Sequence, residues 1–250
     1  MITLTSEELK RVRNPEIALV QKFINVYGGQ TALVVDGIWG SLSKSTFILA
    51  FVNKNAEAIS YAEKLEIAKQ LGDTNTKRLE AVAKVESGPD GGWFPSGLPT
   101  ILFERHKFWQ WIGDKSKRVI SWFSNPTPGG YTKDANKNGI NDSWEKLADA
   151  IGSDPKAALK SISIGEFQVM GVYHLQCGYE HPIEMLWAAR NSQRAQYMML
   201  RDYILKVANL KPAFLKLSTN PADCEAFARG YNGGGYKKYD YHNKLAKAMR

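Results

Sequence analysis

Long apolar runs are missing from this chain. No stretch approaches the roughly 18 consecutive apolar residues that a helical membrane span needs. Cysteine is scarce: Cys177 and Cys224 are too few for a disulfide framework, lack metal-site spacing, and read as buried thiols. The first residues, Met1-Ile-Thr-Leu-Thr-Ser-Glu-Glu, lack a basic segment followed by an apolar core, so they do not read as a secretory signal. The four histidines (His106, His174, His181 and His242) form no His-x-x-x-His or Cys/His cluster, which disfavours a zinc peptidase. Ser87 has neither a partnered His nor a nucleophile elbow, which argues against an esterase. Internal repeats and low-complexity tracts are also lacking.

What remains is an ordinary globular composition of 250 residues, 44% hydrophobic and 23% charged, enough for one large domain or a small one beside a medium one. The net charge is +8. Residues 190–250 carry 12 Lys/Arg against 4 Asp/Glu, while the rest of the chain is nearly balanced. A basic face of this kind implies an anionic partner: nucleic acid, a membrane, or a bacterial envelope polymer. No helix-turn-helix or RNA-binding signature supports the first.

The apolar pattern predicts helices over most of the chain. Residues 7–25 read as helical with a break at Asn14-Pro15, where Asn14 caps and Pro15 takes the first helical position. A tight loop, Val34-Val35-Asp36-Gly37-Ile38-Trp39-Gly40, precedes a second helix from Ser41 to Phe51. Residues 55–72 read as a helical connector, 88–140 as loop-rich, and 142–151, 182–209 and 221–229 as long helices. Thr100 to Arg105 is the best extended stretch. From Lys77 to Gly88, positions Leu79, Val82, Ala83 and Glu86 share one helix face, and Gly88-Pro89 ends the helix. This places Glu86 on the buried stripe near a helix C-terminus, where desolvation and the negative end of the helix dipole both favour its protonated form. These conditions suit a general acid at neutral pH.

Several motifs then resemble known families. Gln21 with the Asp36-Gly37-Ile38-Trp39-Gly40 loop, set between two helices, resembles the small peptidoglycan-binding module of cell-wall hydrolases; Phe51-Val52 departs from that family's Phe-Gln ending. Glu86-Ser87-Gly88, Gly165-Glu166-Phe167-Gln168-Val169-Met170-Gly171 and Ala228-Arg229-Gly230-Tyr231-Asn232-Gly233-Gly234 resemble, in order, three motifs of the goose-type lysozyme and lytic transglycosylase superfamily. With Ile101-Leu102-Phe103-Glu104-Arg105-His106 and Ala158 to Gly171, residues from about 75 onward look like the N-acetylmuramidase domain of phage endolysins.

The resemblance implies a mainly α protein, with a small helical peptidoglycan-binding domain and connector over 1–65 and a larger lysozyme-like catalytic domain over 66–250. It implies cleavage of the β-1,4 bond between N-acetylmuramic acid and N-acetylglucosamine, with Glu86 as catalytic acid and no required cofactor. Ser87, Gln168, Tyr231 and Asn232 would bind substrate. Glu104 is the candidate second catalytic carboxylate; a buried Glu104–Arg105 ion pair is the alternative. Glu166 departs from the family, and a solvent-facing position would explain it. Trp93, Trp109, Trp111 and Trp122 are candidate sugar platforms. Two other readings stay open: a lytic transglycosylase acting on the same bond, and a non-catalytic wall-binding protein. The expected partners are peptidoglycan and, through the basic C-terminus, anionic envelope polymers, with no nucleic acid and a monomeric state. The implied location is the host cytoplasm until release through a holin pore, then the cell wall.

One motif stands outside this picture. Asp134, Asn136, Asn138, Gly139, Ile140, Asp142 and Glu145 match positions 1, 3, 5, 6, 7, 9 and 12 of an EF-hand loop. The preceding Ser124–Lys133 is rich in Pro, Gly and Thr instead of helical. The pattern predicts a structural calcium ion held by Asp134, Asn136, Asn138, Ile140, Asp142 and Glu145; an ordinary Asn-Gly loop is the alternative.

Overall fold

A computed structural model describes residues 2–29, 32–87 and 91–250. The chain opens with α1 (Ser6–Arg11), α2 (Pro15–Tyr27) and α3 (Ser41–Ala50). Asn14 caps α2 through its side chain, with Pro15 in the first turn. Between α2 and α3, the buried Gln21 amide donates to Asp36 Oδ1 (3.1 Å) and Ile38 O (2.9 Å), and its oxygen accepts Gly37 N–H (2.9 Å). Gly37 has φ 74°, and a Cβ there would meet the Asn14 backbone at 2.4 Å, so the loop needs glycine.

Then come α4 (Tyr61–Gln70) and α5 (Lys77–Glu86). The expected connector over 55–72 becomes helical only at Tyr61, where Ser60 and Glu63 form a capping box. It is not a linker: Ile67, Ala68 and Leu71 are fully buried, and the boundary at 65/66 falls inside α4.

A small sheet follows. Strands β1 (Ile101–Phe103), β2 (Ile162–Ile164) and β3 (Val169–Met170) pair antiparallel in that order, with Ile101 opposite Ile164 and Ile164 opposite Val169. Between β1 and β2 lie α6 (Arg105–Trp111), α7 (Asp142–Ile151) and α8 (Pro155–Lys160). The expected 182–209 helix is split into α9 (Pro182–Asn191), α10 (Gln193–Asp202) and a π turn (Tyr203–Val207). Ser192 is extended and its hydroxyl accepts Ala195 N–H, so one residue ends α9 and caps α10. The chain closes with α11 (Lys211–Leu215), α12 (Pro221–Asn232) and α13 (Tyr241–Ala248).

One core joins these parts. Trp144 of α7 is fully buried, with Phe51, the residue that caps α3, and Phe47 of α3 at 5.4 and 6.1 Å between ring centroids. Trp187 of α9 meets Phe51 at 5.3 Å and Phe23 of α2 at 5.7 Å. Trp39 donates its indole N–H to Ala148 O (2.7 Å), and Lys44 pairs with Asp149 at 2.7 Å. The first three helices are therefore fused to the larger body. No helix among the described residues is long and apolar enough to cross a membrane.

Candidate active site

The α5 pattern Leu79–Val82–Ala83 buries one stripe, and Glu86 continues it as the last residue of the helix. Gly88 and Pro89, the expected stop, lie outside the described residues. Asn232, at the end of α12, donates its Nδ2 to Glu86 Oε1 at 3.0 Å. Burial pushes the Glu86 carboxyl up to about 7; the Asn232 hydrogen bond and the Lys244 ammonium pull the other way without overcoming it. The acid thus keeps its proton near neutral pH while staying hydrogen-bonded.

Around it stands a set of tyrosines. Tyr231, next to Asn232, donates its hydroxyl to Phe167 O (3.0 Å), stacks on Phe227, and meets Tyr203 edge-on at 5.1 Å; Tyr203 in turn meets Tyr173. The nearby Glu86 charge contributes to raising the Tyr203, Tyr231 and Tyr241 hydroxyls, after burial. A cavity of about 210 Å³ is lined by Gln168, Tyr173, Tyr203 and Tyr231 with Phe167, Val169 and Met170. Gln168 sits in the turn between β2 and β3 with φ 51°, and its amide donates to Gly165 O (2.8 Å). A left-handed glutamine in a tight turn at a cavity wall is the kind of backbone that a site retains. Glu86, Asn232, Tyr231 and Gln168 are thus brought to one region. Tyr173 and Tyr203 were missed in the sequence; isolated aromatics carry no signal of a shared wall.

The other acids are placed differently. Ser87 Oγ lies 2.7 Å from Glu166 Oε1 and 2.6 Å from Ala83 O, so Ser87 is engaged internally. Glu166 is 8% exposed, and its second oxygen accepts Gln193 Nε2 at 2.9 Å. This corrects the solvent-facing expectation: Gly165 has φ 71°, and the turn that follows folds Glu166 under the end of α5. Glu104 accepts the Tyr131 hydroxyl (2.6 Å) and lies 3.2 Å from His106 Nδ1. Arg105 instead donates to Thr127 O (3.1 Å), so the Glu104–Arg105 pair is not formed. Glu104 approaches the groove through Tyr131, which lines a second cavity, about 230 Å³, together with Gln168.

None of the four tryptophans lines the cavity with Tyr231. Trp93 donates to Arg190 O, Trp122 to Asp149, Trp109 faces Arg118, and Trp111 packs on the core. Among the described residues, no three His, Cys, Asp or Glu side chains gather as a metal site on their own. Both cysteines are free and buried, as expected.

A half-buried acid held by an amide, with a tyrosine-walled cavity and a Gly-x-x-Gln turn close by, is the equipment of a glycosidase. The N-acetylmuramidase family's profile matches residues 75–250, and the chain belongs to that family, whose members are glycoside hydrolases acting on peptidoglycan. Among solved structures it is similar to the Burkholderia AP3 phage endolysin, with 27% identity and TM-score 0.66, over 94% of this chain and 85% of that one. Curated proteins include no match to the chain.

Proposed function

We propose that this protein is a modular phage endolysin that hydrolyses the β-1,4 bond between N-acetylmuramic acid and N-acetylglucosamine, with Glu86 delivering the proton to the glycosidic oxygen. One observation carries the reading: Glu86 is half-buried, keeps its proton to about pH 7, and is held by Asn232, whose chain neighbour Tyr231 lines a cavity with Gln168. A sugar leaving group is a poor one, and a positioned carboxylic acid is what its departure requires. Asn232 holds the acid's carbonyl oxygen, which leaves the other oxygen to present the proton. Tyr231 and Gln168 furnish groove wall and hydrogen-bonding groups for the acetamido sugars.

Transglycosylation stands as the second reading, because the two other nearby carboxylates are committed elsewhere: Glu104 to Tyr131 and Glu166 to Ser87 and Gln193. Attack by the substrate's own 6-hydroxyl needs no second carboxylate. Mass spectrometry of muropeptides released from purified sacculi decides between them. Reducing muramic ends are expected; 1,6-anhydro ends would overturn hydrolysis in favour of transglycosylation, and no cleavage would leave only wall binding.

In this reading the protein is made in the host cytoplasm, released through a holin pore, and lyses the host as a monomer. The N-terminal helices touch the wall through the Asp36–Gly40 loop and its flanks, where Val34, Ile38 and Leu42 are exposed. Retention of the full chain on sacculi tests this: Ile38→Asp should weaken it with Tm unchanged.

A further inference from the structure

The motif at 134–145 lies outside the active site, and its folding goes well beyond an Asn-Gly turn. Asp134 Oδ1 accepts Asn138 N–H (3.0 Å) and its Oδ2 accepts Gly139 N–H (3.0 Å). Asn136 Oδ1 accepts Asn138 N–H (3.2 Å), and Asn138 Oδ1 accepts Ile140 N–H (2.9 Å). Gly139, at the sharp bend, has φ 83°. Glu145, one turn into α7, closes over the loop, its carboxylate 2.8–3.1 Å from the side-chain amides of Asn136 and Asn138. The first, third, fifth and twelfth positions thus face one another.

Two observations point to a cation. Asp142 is 1% exposed; its Oδ1 accepts the N–H of Ala135, the loop's second residue, while its Oδ2 is buried with no partner. A buried carboxylate oxygen left bare is costly, and such groups pair or coordinate metals. Second, Asp134, Asp142 and Glu145 have no salt-bridge partner among the described residues. Lys146, whose ammonium feels Asp142 and Glu145, is itself buried and donates to Gly130 O (2.6 Å).

We propose that this loop binds one calcium ion. Its donors would be Asp134, Glu145, the amide oxygens of Asn136 and Asn138 and the Ile140 carbonyl, with Asp142 at the ninth position. All are oxygens, and hard cations of this size take six to eight of them. Three of the six donors are carboxylates and three are neutral oxygens. The amide contacts of Glu145 give way as both amides turn their oxygens inward. The ion also fastens the groove: Asp142 N–H donates to Lys133 O, and Lys133, Asn141 and Tyr131 line the cavity that includes Gln168.

The test is calorimetric titration of the chelator-treated full chain with calcium chloride, alongside melting curves. One site per chain is expected, and free calcium near a hundredfold its Kd should raise Tm by on the order of 5 °C. Glu145→Gln should lose both the heat and the shift, yet melt beside the parent in chelator, which separates a lost ligand from a broken fold. Absence of binding heat with identical parent curves in calcium and chelator would overturn the site. So would a full calcium shift retained by Glu145→Gln.

Discussion

At the scale of single residues, Glu86 sets a trade between stability and catalysis. Its carboxyl is raised by burial to about 7. A raised acid stabilises the fold fully below its unfolded value near 4.5, and that contribution is lost as pH climbs through about 7. Glu86→Gln should therefore be more stable than the parent above pH 7, by at most about 3 kcal/mol, while sacculus clearing falls roughly a hundredfold to ten-thousandfold. Near-normal clearing by the folded variant would remove Glu86 from the mechanism. Activity of the parent should decline on the alkaline side with a midpoint near 7, read from initial rates against pH. Glu166 is a different kind of residue, a positioning one: it grips Ser87, the residue after the acid, and Gln193 of α10. Glu166→Leu removes the acceptor of the Gln193 amide, at about 1–3 kcal/mol, and leaves Ser87 bonded to Ala83 O alone; it should lower kcat more than it raises KM. Glu166→Gln keeps partners for both and should recover most of the loss. Equal clearing by both variants would reduce Glu166 to packing.

At the scale of elements, the aromatic seam between α3, α7 and α9 makes the N-terminal helices structural as well as wall-directed. Trp144→Ala should cost about 3–5 kcal/mol, seen as a drop in Tm of the full chain; a loss below 1 kcal/mol would show that α3 packs on α7 only loosely. Cutting at 65/66 would divide α4 and expose Phe47 and Phe51, so dissecting the molecule there disrupts both halves. That boundary was hidden in the sequence because an Ala/Glu/Lys-rich helix looks alike as a solvated linker or a packed strut. Elements with strong local chemistry were legible: the Asn14-Pro15 start of α2, the stripe of α5, and α7 at its observed limits. The break at Ser192 was not, since one serine interrupts an otherwise continuous apolar pattern and acts only by capping. Among site residues, Glu86 was marked by its stripe and Tyr231-Asn232 by their glycines. The burial of Glu166 depends on a turn whose partner, Gln193, is 27 residues away, and short-range patterning does not see that far.

At the scale of the whole molecule, the basic C-terminal quarter divides into two populations. Arg190 donates to Ala50 O and Val52 O and covers Trp187, Arg194 reaches Glu63 and Glu66, and Arg201 pairs with Asp202; these cations hold helices together. Lys238, Lys244, Lys247 and Arg250 remain exposed around α13, with Lys237 exposed beside Glu225 at 3.9 Å. They are available to an anionic envelope polymer, and Lys244 is close enough to Glu86 to lower its carboxyl. The two consequences separate by experiment. Exposed charge steers association only within a Debye length, about 10 Å at 0.1 M salt, so the lytic rate on walls should fall as salt rises. Replacing Lys237, Lys238 and Lys247 together with Gln should lower the rate at low salt and flatten that slope. Lys244→Gln should add a second change: with the ammonium gone, Glu86 holds its proton more tightly and the alkaline limb of the pH profile moves upward. A rate indifferent to salt would exclude steering by this face, and an unmoved alkaline limb in Lys244→Gln would show that α13 does not tune the acid.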